Sequence, residues 1–152
     1  MKTTSSSLIL FATLALGLTC ETSAQSPAAT EGDAKKAIVG TWSGQMVDSE
    51  GAAHGEIKLE ITADGITATN PRGGHVMGAG TYRISAQAGK VMQIDATGTD
   101  GQFKGRKYEG IFSIDGKTLK WCSANENPKS KRPTELRTNQ QQGQFLMVLE
   151  KQ

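Results

Sequence analysis

Glu56-Ile57-Lys58-Leu59-Glu60-Ile61-Thr62 alternates charged and apolar side chains residue by residue. An extended chain sends successive side chains to opposite faces, so Ile57, Leu59 and Ile61 share a core face and Glu56, Lys58 and Glu60 a solvent face. Asp64-Gly65 then supplies a turn. The same period recurs on either side: Thr41 to Val47 around Trp42, Ile66 to Thr69, Gly80 to Ser85 with Tyr82 and Ile84, and Val91 to Ala96 with Met92 and Ile94. Between these runs lie Asn70-Pro71-Arg72-Gly73-Gly74, Ala88-Gly89-Lys90 and Gly98-Thr99-Asp100-Gly101, whose residues suit bends that need positive φ or the fixed φ of proline.

A longer strand follows, with Tyr108, Gly110, Phe112 and Ile114 on one face and Lys107, Glu109 and Ser113 on the other. Asp115-Gly116 closes it as a hairpin, and the return strand carries Leu119 and Trp121. After a polar loop from Asn125 to Pro133, the pattern predicts strands at Thr134 to Thr138 and at Gln144 to Glu150, the latter apolar on both faces. Short strands at this spacing, with no helical segment between them, exclude βαβ architecture and leave a sandwich or an antiparallel barrel. Phe145-Leu146-Met147-Val148-Leu149 at an open edge would invite aggregation, so it is expected to pair with the first strand. The expected fold is all-β, a small antiparallel barrel of about eight strands.

Upstream of the strands the chain changes character. Met1-Lys2, a Ser/Thr stretch, an apolar run from Leu8 to Leu18 and then Thr22-Ser23-Ala24 predict a secretory signal peptide over 1–24, because the run is shorter than the about 20 residues of a membrane span. Cleavage just before Cys20, with lipid anchoring there, is the less favoured alternative, since Gly17-Leu18-Thr19 fits that kind of leader poorly. The expected location is periplasmic or extracellular. Residues 25–37 show no apolar period and are expected to form a flexible linker, followed by one domain over 38–152. The net charge of +2 is too small to predict a nucleic-acid partner, and no second apolar segment predicts a membrane span. With the leader removed, Cys122 is the remaining thiol, so an internal disulfide is not expected.

Gly40-Thr41-Trp42 looks like the G-x-W signature of lipocalins. Together with Gly80-Thr81-Tyr82-Arg83-Ile84, Ile94-Asp95, the run from Gly110 to Cys122 and Arg132-Pro133-Thr134-Glu135-Leu136, it resembles a family of small, mostly exported lipocalin-like domains abundant in planctomycete bacteria. The resemblance implies that the barrel is lipocalin-like (calycin-like), but the family has no established activity to carry over. Gln93 stands where such proteins often have proline, and Leu136 where they often have an aromatic. The lipocalin resemblance further implies an arginine packed across the conserved tryptophan at the closed end of the barrel. Arg132 is the first candidate to latch Trp42 in this way, and Arg137 the second.

Candidate chemistry is sparse. Cys122 has no nearby histidine or helix N-terminus in sequence to activate it, and its place after Trp121 in a strand suits a buried small hydrophobe. His54 and His75 lie in glycine-rich turns without partners at ligand spacing, so neither a metal nor a cofactor is expected. Asp115 belongs to its turn, Glu109 to the outward face, and Asp95 and Glu135 suit loop-holding hydrogen bonds. The basic runs Lys104 to Lys107 and Lys129 to Arg132 come with aromatics at only 5% of the chain, too few to make a base-stacking surface. No phosphate loop, nucleophile elbow or zinc-protease motif is present.

The expected function is therefore that of a non-catalytic binding module, with a small apolar ligand held among Tyr82, Met92, Phe112, Leu119, Trp121 and Met147 inside the barrel. The alternative is a protein-interaction or cell-envelope structural domain whose barrel is filled by side chains, with an envelope protein as partner. A cavity of about 300 Å³ or more, open at one end, discriminates the two.

Overall fold

A computed structural model describes residues 30–48, 50, 52–85, 91–124 and 130–152. It contains a short helix, α1 (Glu31–Ile38), and eight strands: β1 (Gly40–Val47), β2 (Ala53–Ile61), β3 (Ile66–Asn70), β4 (His75–Ser85), β5 (Met92–Gly101), β6 (Lys107–Asp115), β7 (Thr118–Ala124) and β8 (Gln144–Lys151). Each strand pairs antiparallel with the next, and β8 returns to β1, so the sheet is a closed barrel. The seam sets Gly44 opposite Leu149 and Trp42 opposite Lys151. Closure leaves no exposed ladder on β8, as its apolar composition requires. No helix among the described residues is long and apolar enough to cross a membrane.

Alternation along each strand fixes the interior. Ile57, Leu59 and Ile61 of β2 are buried while Glu56, Lys58 and Glu60 are exposed. One strand start and one turn differ from expectation. β4 starts at His75, five residues before the expected Gly80, directly after the turn expected at Asn70 to Gly74, in which Asn70 Oδ1 accepts the Arg72 N–H at 3.0 Å. β5 continues through Gly98 to Gly101, and the chain reverses only at residues 102–105. The turns expected at Ala88 to Lys90 and the start of the loop from Asn125 lie outside the described residues.

Two further expectations are corrected. From Glu31 onward the linker expected over 25–37 is the helix α1. Thr30 caps it by accepting the Asp33 N–H at 3.2 Å, and Ala34 and Ile38, one turn apart, are buried against the barrel. The short helix survives on that docking, since eight residues alone are too few for a stable helix in water. Thr134 to Thr138 is not a strand. Instead the chain from Ser130 to Thr138 runs as a strap across the outer face of β6 and β7. Pro133 is fully buried, Arg137 O accepts the Cys122 thiol at 3.1 Å, and Arg132 donates to Gly110 O at 2.9 Å and to Asp95 Oδ1 at 2.6 Å. Under it Ile111 and Cys122, paired on the outer face, are 1% and 0% exposed.

The Arg132 bonds are charge-assisted and hold the strap to the wall, so Arg132→Ala is expected to cost about 1.5–3 kcal/mol. The same change should let a thiol reagent reach Cys122 at pH 8. Rapid labelling of the parent protein under those conditions would contradict this arrangement.

Candidate functional site

The barrel interior has two unlike halves. Trp42, Tyr82, Met92, Phe112, Leu119 and Leu149 belong to the same buried core as the helix residues Ala34 and Ile38 and do not line the cavity of the other half. Trp42 is 0% exposed and donates its indole N–H to Ile38 O at 2.7 Å. The Tyr82 hydroxyl donates to Thr62 O at 2.7 Å, and burial, with the charge of Asp64 second, raises its pKa.

The expected latch is corrected here. Arg132 lies on the outside of the barrel with Asp95, and Arg137 pairs with Glu135 at 2.8 Å. The cation at Trp42 is Lys151, whose Nζ sits 5.0 Å from the ring centroid and donates to Ala37 O at 3.2 Å. β-strand register explains the exchange, because Lys151 is the residue directly opposite Trp42 across the seam. One ammonium thereby ties the tryptophan to a carbonyl at the helix C-terminus, where a cation is favoured.

The other half is hollow. A cavity of about 340 Å³ opens at the end opposite α1. Ala68, Gly78, Gly80, Ala96 and Gly98 form one wall, on β3 to β5, and Tyr108, Trp121, Phe145 and Met147 stand on the other, on β6 to β8. Small residues facing large ones leave space that no side chain fills. Phe103 comes into the mouth from the β5–β6 turn, edge-on to Tyr108, which is in turn edge-on to Phe145, with centroids 6.3 and 6.2 Å apart. Gly98 permits this approach, since a Cβ there would collide with the Phe103 carbonyl.

Asp48, His54 and Arg106 make the polar rim. His54 Nε2 lies 2.6 Å from Asp48 Oδ2, a pairing that spacing in sequence did not suggest. Partial burial of Asp48 works to raise its pKa, but the N–H groups of Ala52 and Glu50 and the His54 ring outweigh it and hold the carboxyl below its ordinary value. Among the described residues no group of three or more His, Cys, Asp or Glu is placed to hold a metal ion.

Of the six residues expected to line a ligand site, Trp121 and Met147 line the cavity. Tyr82, Met92, Phe112 and Leu119 point inward but belong to the packed half. The expectation erred by treating the lumen as uniform. The aromatic collar of Phe103, Tyr108 and Phe145 was missed, although Tyr108 shares its strand face with Phe112. The missing signal was the cluster of small residues at alternate positions of β3, β4 and β5, which locates the empty half.

Burial pushes the Cys122 thiol up to about 11, and its hydrogen bond to Arg137 O opposes this only in part. The thiol is thus protonated and covered at neutral pH, a poor nucleophile. An unfolded thiol ionises near 9.0, so folding stability attached to this group is intact below that pH and lost as pH rises toward about 11. Thermal melts across pH 9.0 to 11 should show the parent protein losing stability relative to Cys122→Ala; parallel profiles would contradict the burial.

No family model matches the chain, and no curated protein does. Among solved structures the chain is similar to a redesigned β-barrel, with a TM-score of 0.51 and 13% identity, over 82% of this chain and 98% of that one. At that identity the likeness bears on the fold, and it agrees with an antiparallel closed barrel.

Proposed function

We propose that this protein is an exported, non-catalytic lipocalin-like domain of the planctomycete type that holds a small apolar molecule in the open half of its barrel. The observation that carries the proposal is the cavity of about 340 Å³ with its apolar wall. A void of this size falls at the lower end of ligand pockets, and a side-chain-filled interaction domain has no use for one. Space for on the order of ten water-sized groups fits a compact one- or two-ring molecule rather than a long chain.

Naphthalene is a suitable probe. Binding next to Trp121 should change the indole emission, with a Kd on the order of 10–100 µM, roughly −0.6 kcal/mol per carbon. Ala68→Phe puts a ring into the space and should weaken binding at least about tenfold while the barrel stays folded, a loss of about 1.4 kcal/mol or more. Equal binding by both proteins, or none by the parent, would favour the interaction-domain alternative.

A further inference from the structure

The described residues include two buried polar side chains, Ser123 and Gln144. Gln144 is accounted for by its bonds to Lys131 O and Gln142 Oε1. Ser123 lines the cavity. It is 1% exposed, and its Oγ accepts the Trp121 indole N–H at 2.9 Å. Beneath the pair lies Gly110, where a Cβ would collide with Ser123 Oγ and approach Trp121 Nε1 to 2.9 Å, so the serine and the indole rest directly on β6 backbone.

A hydroxyl accepts and donates. Ser123 Oγ already accepts from Trp121, and among the described residues no group takes the hydroxyl's own proton. Accepting the indole N–H also makes the hydroxyl a better donor, since linked hydrogen bonds polarise one another. A good donor, desolvated in a mostly apolar wall, thus borders the cavity with its proton unclaimed. The matching group cannot be a bare carboxylate, which at this depth would lack a cation; Arg106 stands at the rim, four residues from Gly110 toward the mouth.

We infer that Ser123 is a ligand-recognition residue: its hydroxyl donates to a neutral carbonyl oxygen on the bound molecule, so that the cavity selects a compact apolar ketone or ester over the plain hydrocarbon. The inference rests on the cavity being a ligand site.

Calorimetric titration of α-tetralone and of tetralin, which share a ring skeleton and differ by the carbonyl oxygen, separates the two claims. With Ser123→Ala, α-tetralone should bind about five- to tenfold more weakly than to the parent, and tetralin within about twofold of it, because one net hydrogen bond is removed from one ligand only. Ser123→Cys, similar in bulk and a weak donor, should fall between. The infrared carbonyl stretch of bound α-tetralone should lie lower in the parent than in Ser123→Ala, a shift that a merely structural serine would not produce. If the two ligands respond alike to Ser123→Ala, or the stretch does not move, the inference is overturned while the cavity reading stands. If the parent binds neither compound, both are overturned.

Discussion

Gly44→Val is expected to cost at least about 3 kcal/mol and to lower Tm by about 10 °C or more. Gly44 sits in the seam opposite Leu149. A Cβ built there would run into the Val148 carbonyl and come within 2.8 Å of Leu149 Cα, both backbone atoms that no rotamer change can move aside. The strands must part or slip, and a slip by one residue would turn Met147 and Leu149 out of the core. A loss of that size is a large fraction of ordinary domain stability. Gly32→Ala is the matched control: it lies in α1 with a nearest neighbour at 3.9 Å, and alanine there should be neutral or stabilising by about 0.5–1 kcal/mol. Thermal melts of both variants check the pair, and an unchanged Tm for Gly44→Val would mean that β1 and β8 are not joined as described.

Trp42→Ala should be comparably severe, at about 3–5 kcal/mol. The indole is 0% exposed, fills the α1 end of the barrel, and supplies the hydrogen bond to Ile38 O. Its loss removes the surface on which Ile38 rests, so α1 should lose amide-exchange protection well before the strands do. Trp42→Phe keeps most of the bulk but leaves the Ile38 carbonyl without its donor, and should cost about 1–3 kcal/mol. Lys151→Met removes both the cation above the ring and its hydrogen bond to Ala37 O, and should cost about 1–2 kcal/mol. A Trp42→Ala protein within about 1 kcal/mol of the parent in denaturant titration would contradict the packing.

The strands were legible because a sheet with one buried face writes a period of two into its sequence, and Ile57 to Ile61 does so without interruption. β8 was harder. Its outward Leu146 lies beside Cys122, on the face the strap crosses, so hydrophobicity on both sides of the strand reflects two covered faces. The same cause makes Ile111 an apolar residue in the outward phase of β6. Ile111, Cys122 and Leu146 together break the polar phase of three neighbouring strands, and that shared break marks a covered patch that the segment 134–138, read as a strand, actually supplies.

α1 escaped notice because only Ala34 and Ile38 are buried, too few to make a helical period. The latch was misassigned because which cation reaches Trp42 depends on the register at the barrel seam, which puts Lys151 opposite it. Whether a lumen is filled or hollow depends on the sum of side-chain volumes at each level of the barrel. Phe112 and Trp121 are direct cross-strand partners, yet Trp121 lines the cavity and Phe112 does not, a difference that the pattern within one strand does not reveal.

The central claim is that the barrel is solid at the α1 end and empty at the other. Xenon enters dry apolar cavities of this kind, so a crystal structure of the protein under xenon pressure tests it directly. The expected result is xenon among Ala68, Trp121 and Met147 and none around Phe112 and Leu119. Side chains or hydrogen-bonded waters occupying that space, with no xenon bound, would contradict the account.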